Sequence, residues 1–256
     1  MGEKLEITAT IVLYNENLEE LTKTINSFLN VPLQKKLYLI DNTVHMRFQN
    51  IFNQEEIEYI AIGKNIGFGA GHNVVIDKIH NTSNFHLILN PDVNFDKTVI
   101  PNLIKELTKD ETLSMIAPKV LFPTGEHQYS CRRYPRFLEL MARRFTFLKP
   151  FFKPAIFKGQ YKDKDLTSSF YAEYVAGCFH LYKTDDFVNL KGFDERYFLY
   201  MEDVDICKKI DLMGKRKLYY PKEEIRHILK QGSSKSLKLL FRHSSSAIKY
   251  FLKWGF

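Results

Sequence analysis

The chain has 256 residues, 45% of them hydrophobic and 14% aromatic, enough for one large domain or for a domain with an appendage. Its net charge of +7 suits an anionic partner such as a nucleotide, a nucleic acid or an acidic membrane surface. The three cysteines, Cys131, Cys178 and Cys207, stand far apart, which excludes a disulfide framework and a Cys-rich zinc cluster and points to a reducing compartment. Met1 to Lys4 lead straight into a strand pattern, and no apolar run approaches the ~18 residues of a membrane span, so a cytosolic chain without a signal peptide is expected.

Residues 5–13 are rich in β-formers and read as a buried first strand, broken by Tyr14-Asn15-Glu16. Asn17-Leu18-Glu19-Glu20 matches a capping box, with Asn17 at the N-cap and Glu20 at N3, and opens a helix through Leu21, Ile25 and Phe28. Short apolar strands follow at 37–40, ending on Asp41-Asn42, at 57–62, and at 85–89, ending on Asn90-Pro91-Asp92. Helical patterns lie between them, weakly at 47–53 and better at 70–80 and 98–108. Strands alternating with helices predict an α/β fold with a doubly wound, mostly parallel sheet, in which ligands bind at the carboxyl ends of the strands. Tyr14, Asn15, Asp41, Asn65 and Asp92 collect at those ends.

A fifth strand is expected at 114–122. The region 132–164 then mixes Arg132, Arg133, Arg143, Arg144, Lys149, Lys153 and Lys158 with many Phe and Leu, and Pro150 and Pro154 interrupt it. It reads as a mobile insertion with a basic amphipathic helix near 137–148, suited either to a membrane interface or to packing on the sheet. Strand character returns at 171–182, with short strands at 217–220 and 225–228. The tail, 236–254, is a second basic amphipathic segment, with Leu237, Phe241, Ile248 and Leu252 beside Lys238, Arg242, Lys249 and Lys253.

Between Gly192 and Cys207 five carboxylates, Asp194, Glu195, Glu202, Asp203 and Asp205, alternate with aromatics. Val204, Cys207, Ile210 and Met213 then recur at helical spacing up to Gly214, so Glu202 and Asp203 fall at a helix N-terminus. There the macrodipole and free N–H groups are expected to keep a carboxylate ionised. Asp203 reads either as a first-turn cap or as a catalytic base. Asp194 and Glu195 are assigned to the preceding turn, and Asp205 to the helix's first turn.

The loop Asn65-Ile66-Gly67-Phe68-Gly69-Ala70-Gly71-His72-Asn73 allows close backbone approach to a ligand. It follows the third strand rather than the first, which counts against a nicotinamide site. It is left as the wall of a nucleotide pocket, with Asn65 and Asn73 as polar contacts, or as a plain glycine turn. Asp41, with its side chain expected to be free, could pair with the imide N–H of a pyrimidine. Asp92 could hold a divalent cation shared with a diphosphate, or be a turn-forming Pro-Asp pair. His227, followed by Lys230, Gly232 and Ser233, also suits a diphosphate. With Asp92 it would make a mixed oxygen and nitrogen site that favours Mn2+ over Mg2+.

Ile11-Val12-Leu13-Tyr14-Asn15, Ile40-Asp41-Asn42, the loop from Asn65 to Asn73, Leu89-Asn90-Pro91-Asp92, Gly192-Phe193-Asp194-Glu195, Glu202-Asp203-Val204-Asp205 and His227 with Gly232-Ser233 occur in that order. As a set they resemble a family 2 glycosyltransferase of the inverting GT-A fold, within its bacterial rhamnosyltransferase-like branch of O-antigen and capsule synthesis. The resemblance implies a single Rossmann-like domain over 1–235. Its nucleotide-binding half is 1–122, its basic insertion 131–170 and its acceptor half 171–235, with a tail helix over 236–256. It implies that Val12 and Tyr14 border the nucleoside and that Asp41 reads the pyrimidine. Asn65, Gly67, Gly71 and Asn73 shape the donor pocket, and Lys230 and Ser233 meet the diphosphate. Asn90 and Asp92 stand for the family's Asp-x-Asp motif, with Asn90 a departure from its first Asp. Asp92 and His227 would hold Mn2+ or Mg2+, and Asp203 would be the base, with Glu202 on the acceptor side.

The implied donor is dTDP-L-rhamnose, with UDP-hexoses or UDP-N-acetylhexosamines as alternatives. The implied acceptor is a lipid-linked saccharide at the anionic cytoplasmic face of the membrane, with homodimerisation left open. Other classes are a non-catalytic sugar-nucleotide sensor and a nucleic-acid-binding protein. Against the latter, the positive charge avoids the strand-end cleft and no nucleic-acid motif is present.

Overall fold

The computed structural model describes residues 5–137, 140, 149–229 and 237–255. Four strands form its parallel half: β1 (Leu5–Leu13), β2 (Lys35–Asp41), β3 (Ile57–Ala61) and β4 (Ser83–Leu89). β1 pairs in parallel with both β2 and β4, and β2 with β3. The interior strands are buried on both faces because helices cover both, and Thr8, Thr10 and His86 on one of those faces bond one another. Helix α1 (Leu18–Leu29) buries Leu21, Ile25 and Phe28, and the Asn17 side chain caps it by accepting the Glu20 N–H at 3.1 Å. The pattern at 47–53 forms turns instead of a helix. It buries only Phe48, and Asn50 sits at φ 65°, so no apolar stripe is available to pack. The expected helix at 70–80 divides into α2 (Phe68–Asn73) and α3 (Ile76–Ile79). They part at Val74-Val75, two β-branched residues that crowd the preceding turn.

Beyond β4 come β5 (Val93–Asn94), α4 (Val99–Leu107) and β6 (Leu113–Leu121), then β7 (Cys131–Arg132) and α5 (Lys149–Gly159). The expected helix at 137–148 falls largely outside the described residues. Pro150 and Pro154 lie within α5 rather than breaking it; Pro150 is in the first turn, where its missing N–H costs nothing. The strand pattern at 171–182 resolves into β8 (Phe170–Tyr171), β9 (Tyr174–Val175) and β10 (Phe179–Lys183). A tight turn separates the last two, with the Cys178 N–H bonded to the Ala176 carbonyl at 2.9 Å. After α6 (Thr184–Asn189) and α7 (Glu202–Leu212), the two expected strands at 217–220 and 225–228 are one strand, β11 (Arg216–His227). Its register slips between Tyr220 and Glu224, around Pro221, which has no ladder N–H to donate.

The main sheet has the order β3-β2-β1-β4-β10-β6-β11-β5, with β8 beside β11. β10 is antiparallel to β4 and β6, and β11 is parallel to β6. The carboxyl ends of β1, β2, β4 and β11 therefore open on one edge, and so does the start of β10.

Helix α8 (Leu237–Trp254) lies back on the stretch before α7. Ser246 Oγ donates to the Leu199 carbonyl at 2.9 Å, and Lys249 Nζ to the Arg196 carbonyl at 2.7 Å. Lys253 Nζ reaches Asp194 at 2.9 Å and Asp205 at 2.7 Å, and Trp254 Nε1 also donates to Asp205 at 2.7 Å. Asp205 is thus the buried anchor of α8 and not only a first-turn residue of α7. Asp194, which also binds Arg196, serves the turn as expected. Among the described residues no helix is long and apolar enough to cross a membrane.

Candidate active site

Two residues, Gly177 and Cys178, join the parts of the site. Because β10 runs against β4, its first residue, Phe179, pairs with Leu89 at the end of β4. The Asn90 N–H then bonds the Cys178 carbonyl at 2.9 Å, while the Gly177 N–H donates to Asp203 Oδ2 at 3.2 Å. A Cβ on Gly177 would stand 3.4 Å from the Asp203 Cβ, so the helix N-terminus sits directly on this turn. On one side of the turn lie Asn90, Asp92 and His227; on the other lie Glu202 and Asp203.

In the first corner, β5 pairs with β11 so that Val93 faces His227, and the Ile228 N–H bonds the Asp92 carbonyl at 3.1 Å. This register brings Asp92 Oδ1 to 3.4 Å from His227 Nε2, with both residues 6% exposed. Thr24 of α1 braces the loop by donating to the Pro91 carbonyl and accepting the Val93 N–H. Asn90 Nδ2 lies 3.4 Å from His227 Nε2, and Gln128 Oε1 lies 3.0 Å from Nδ1. Burial opposes a charge on His227, but the adjacent Cys178 and Asp92 outweigh it and raise its pKa to about 10. Among the described residues no group of three or more His, Cys, Asp or Glu converges as a metal cage. One carboxylate and one imidazole at this distance nevertheless fit a divalent cation that takes its other ligands from a diphosphate and water.

The second corner departs from the electrostatic expectation. Glu202 is 5% exposed, its Oε2 has no partner, and burial followed by the Asp203 charge raises its pKa to about 8. Asp203 is also raised, by burial, although the Val204 and Gly177 N–H groups and the Arg132 charge pull it down. Desolvation therefore outweighs the helix dipole. Burial and the neighbouring Asp203 charge make Glu202 the member of the pair that holds a proton more readily, and Asp203 is the partly exposed one. The helix is entered through Tyr200 and Met201, both left-handed at φ 69° and 71°, a strained approach that aims the first turn at Gly177.

The glycine loop packs against the same strained segment. Gly67 has φ 100°, and a Cβ there would meet the Phe198 carbonyl at 2.4 Å; the Phe68 N–H bonds that carbonyl at 3.1 Å. Asn65 Oδ1 accepts the Gly67 N–H, and Asn42 Nδ2 donates to the Gly67 carbonyl, each at 2.9 Å. Gly71 lets α2 close on Val12, whose Cγ2 would be 2.7 Å from an added Cβ. Lys64, Asn65, Ile66, Ala70, Glu195 and Phe198 line an open cleft of about 520 Å³ here.

Asn73, expected to contact the donor, also lines this cleft, and its amide is engaged within the fold. Its amide bonds the Phe193 carbonyl, the Phe193 N–H and Glu195 at 2.9 to 3.0 Å, clamping α2 to the turn at 192–195. Asp41 is not free: it is fully buried, accepting from the Tyr59 hydroxyl and from the Thr43 N–H at 2.7 Å. Burial and this carboxylate push the Tyr59 phenol up. Tyr14 is half exposed at the end of β1. Lys230 and Ser233 lie outside the described residues. Gly177, Gln128 and Arg132 were not singled out from sequence; the Gly177-Cys178 break between two β-rich runs was the one visible signal.

The sequence model described as glycosyl transferase family 2 matches residues 8–172. Rhamnosyltransferase WbbL of Escherichia coli (strain K12) is 24% identical over 255 residues, covering 95% of this chain and 92% of that protein. An N-acetylglucosaminyl-diphospho-decaprenol L-rhamnosyltransferase of Mycobacterium tuberculosis (strain ATCC 25618 / H37Rv) is 25% identical over 181 residues, 67% of this chain and 58% of that one. Among solved structures, GalNAc-T7 with UDP, GalNAc and Mn2+ superposes with a TM-score of 0.64 at 16% identity, over 88% of this chain and 43% of that one. The mannosyltransferase PcManGT from Pyrobaculum calidifontis, in complex with GDP-Man and Mn2+, gives 0.58 at 16% identity, over 90% and 59%. These two likenesses show the GT-A fold, and the chain spans less than two thirds of either structure.

Proposed function

The chain belongs to glycosyl transferase family 2 and is a glycosyltransferase, and on that premise we propose that it transfers L-rhamnose from dTDP-rhamnose, with inversion, to a lipid-linked saccharide. The donor and acceptor classes follow the names of its rhamnosyltransferase relatives, one of which acts on a decaprenol-linked sugar. The observation that carries the reading is the Gly177-Cys178 turn. It holds the Asp203 carboxyl on one side and the Asp92–His227 pair on the other.

In this reading Asn65, Gly67 and Gly71 shape the donor pocket against Val12, and Tyr14 and Asp41 border the base. Asp41 acts there as a fixed carboxylate, already oriented by Tyr59 and Thr43. Asp92 and His227 would hold Mn2+ or Mg2+ beside Asn90, and the cation would supply positive charge for the diphosphate leaving group. Lys230 and Ser233 complete the diphosphate site. Asp203 accepts the proton of the attacking acceptor hydroxyl as the new glycosidic bond forms and the bond to the diphosphate breaks. Protonated Glu202 faces the acceptor as a hydrogen-bond donor.

Peripheral attachment at the cytoplasmic face of the membrane is supported by the outer stripe of α8. Leu237, Phe241, Ile248 and Leu252 are 84%, 75%, 56% and 73% exposed on one face of a helix that carries no acid. The test is a thermal-shift screen of dTDP, UDP and their sugars with and without Mn2+, followed by transfer to a polyprenyl-diphosphate-linked N-acetylglucosamine. Stabilisation by dTDP-rhamnose and product formation are expected. Stabilisation by UDP sugars alone would overturn the donor.

A further inference from the structure

We propose that Gln128 is a positioning residue that presets His227 for a divalent cation by fixing which ring nitrogen keeps its proton. The proposal rests on the reading of Asp92 and His227 as metal ligands. Gln128 lies at the end of a tight hairpin after β6. Leu121 bridges His127 across it, and the Gln128 N–H bonds the Val120 carbonyl at 2.9 Å, so the backbone is held. The side-chain amide nitrogen donates to two backbone carbonyls, that of Leu121 at 3.2 Å and that of His227. Carbonyls only accept, so the amide has one orientation; turned round, it would set its oxygen against two other oxygens. The amide oxygen therefore faces His227 Nδ1, 3.0 Å away.

An oxygen acceptor at that distance requires a proton on Nδ1. Nε2 is then the atom that offers a lone pair, and it is the nitrogen beside Asp92 Oδ1 and Asn90 Nδ2, each at 3.4 Å. An imidazole ligand must present an unprotonated nitrogen, and the bond made by its other nitrogen selects which one. Gln128 makes that selection whether the empty ring carries one proton or two, because Nδ1 keeps its own in both. Ring and carbonyl of His227 are bonded to the same amide, so the side chain is oriented from two points.

The test uses the full chain and titrates Mn2+ alone by calorimetry into wild type, Gln128→Met, Gln128→Glu and His227→Ala, with circular dichroism melts alongside. Met keeps the length of Gln but accepts nothing, whereas Glu keeps an oxygen facing Nδ1–H and, protonated on its other oxygen, still donates to one of the two carbonyls. Gln128→Met should weaken Mn2+ binding by roughly 10–100-fold, and Gln128→Glu should recover most of it. Wild-type affinity in Gln128→Met with loss in His227→Ala would overturn the proposal, as would equal loss in the Met and Glu variants. Wild-type affinity in His227→Ala would instead overturn the metal reading itself. Independently of any loss of fold, ¹⁵N spectra of the wild-type imidazole, assigned by difference with His227→Ala, should show protonated Nδ1 with and without Mg2+; an unprotonated Nδ1 would overturn the proposal.

Discussion

The two corners that meet at Gly177-Cys178 are built in opposite ways. In the Asp92–His227 corner both ring nitrogens have neighbours, the backbones are paired, and Thr24 and Gln128 brace the loop and the ring from outside. In the Glu202–Asp203 corner one carboxyl oxygen is buried without a partner, and Asp203 accepts from the backbone N–H groups of Gly177 and Val204. A cation site gains from ligands fixed beforehand, because reorganisation would subtract from affinity. A base must instead leave acceptor capacity for a hydroxyl that arrives with the substrate. Under the proposed function, the closed corner is the binding end of the reaction, and the open corner its proton-accepting end.

The largest effect should come from closing the open corner chemically. Asp203→Asn keeps the shape and the Gly177 contact but removes the base, so kcat should fall by roughly 10²–10⁴-fold. Donor affinity by calorimetry should stay near that of wild type. A comparable loss of donor affinity would merge the two corners into one binding unit and sink the assignment of Asp203.

A smaller effect should follow from removing the clasp behind the open corner. Lys253→Met leaves the buried Asp205 with only the Tyr197 hydroxyl and Trp254 Nε1 as donors. The loss should be about 1–3 kcal/mol, read as a fall of several degrees in melting temperature by calorimetry. An unchanged melt would show that α8 does not hold α7 in place.

What was legible in the sequence divides along the same line. Strands, their order of use and their polar ends follow from local apolar runs, so Asp92, His227 and Asp203 were expected at the carboxyl edge of the sheet, where the fold has them. The partners that set their behaviour are remote: Gln128 is 99 residues from His227, and Asn73 is 120 residues from Phe193. No periodicity records such a pairing, so the clamp that Asn73 makes on the turn at 192–195 was not legible beside its place on the cleft. The direction expected for the pKa shifts of Glu202 and Asp203 failed for a related reason. The helix dipole is a local property and was visible, whereas the burial that outweighs it comes from the loop and strands packed around it.

The smallest effect tests the cost of leaving a corner open. Glu202 has a pKa of about 8 in the fold against 4.5 for the exposed group. Between those values the native chain holds a proton that the unfolded chain releases, so stability is lost as pH rises from 4.5 through 8. Glu202→Gln removes that titration while keeping the size and a donor N–H. Its melting temperature should match wild type near pH 4.5 and exceed it at pH 8 by about 2–4 °C for each kcal/mol recovered. The acid limb of the rate profile, set by Asp203, should stay in place with transfer retained, because Glu202 already carries its proton there. A melt that is lower at pH 8 would mean that Glu202 is paired and ionised in solution. Both corners would then be closed, and the contrast between them would fail.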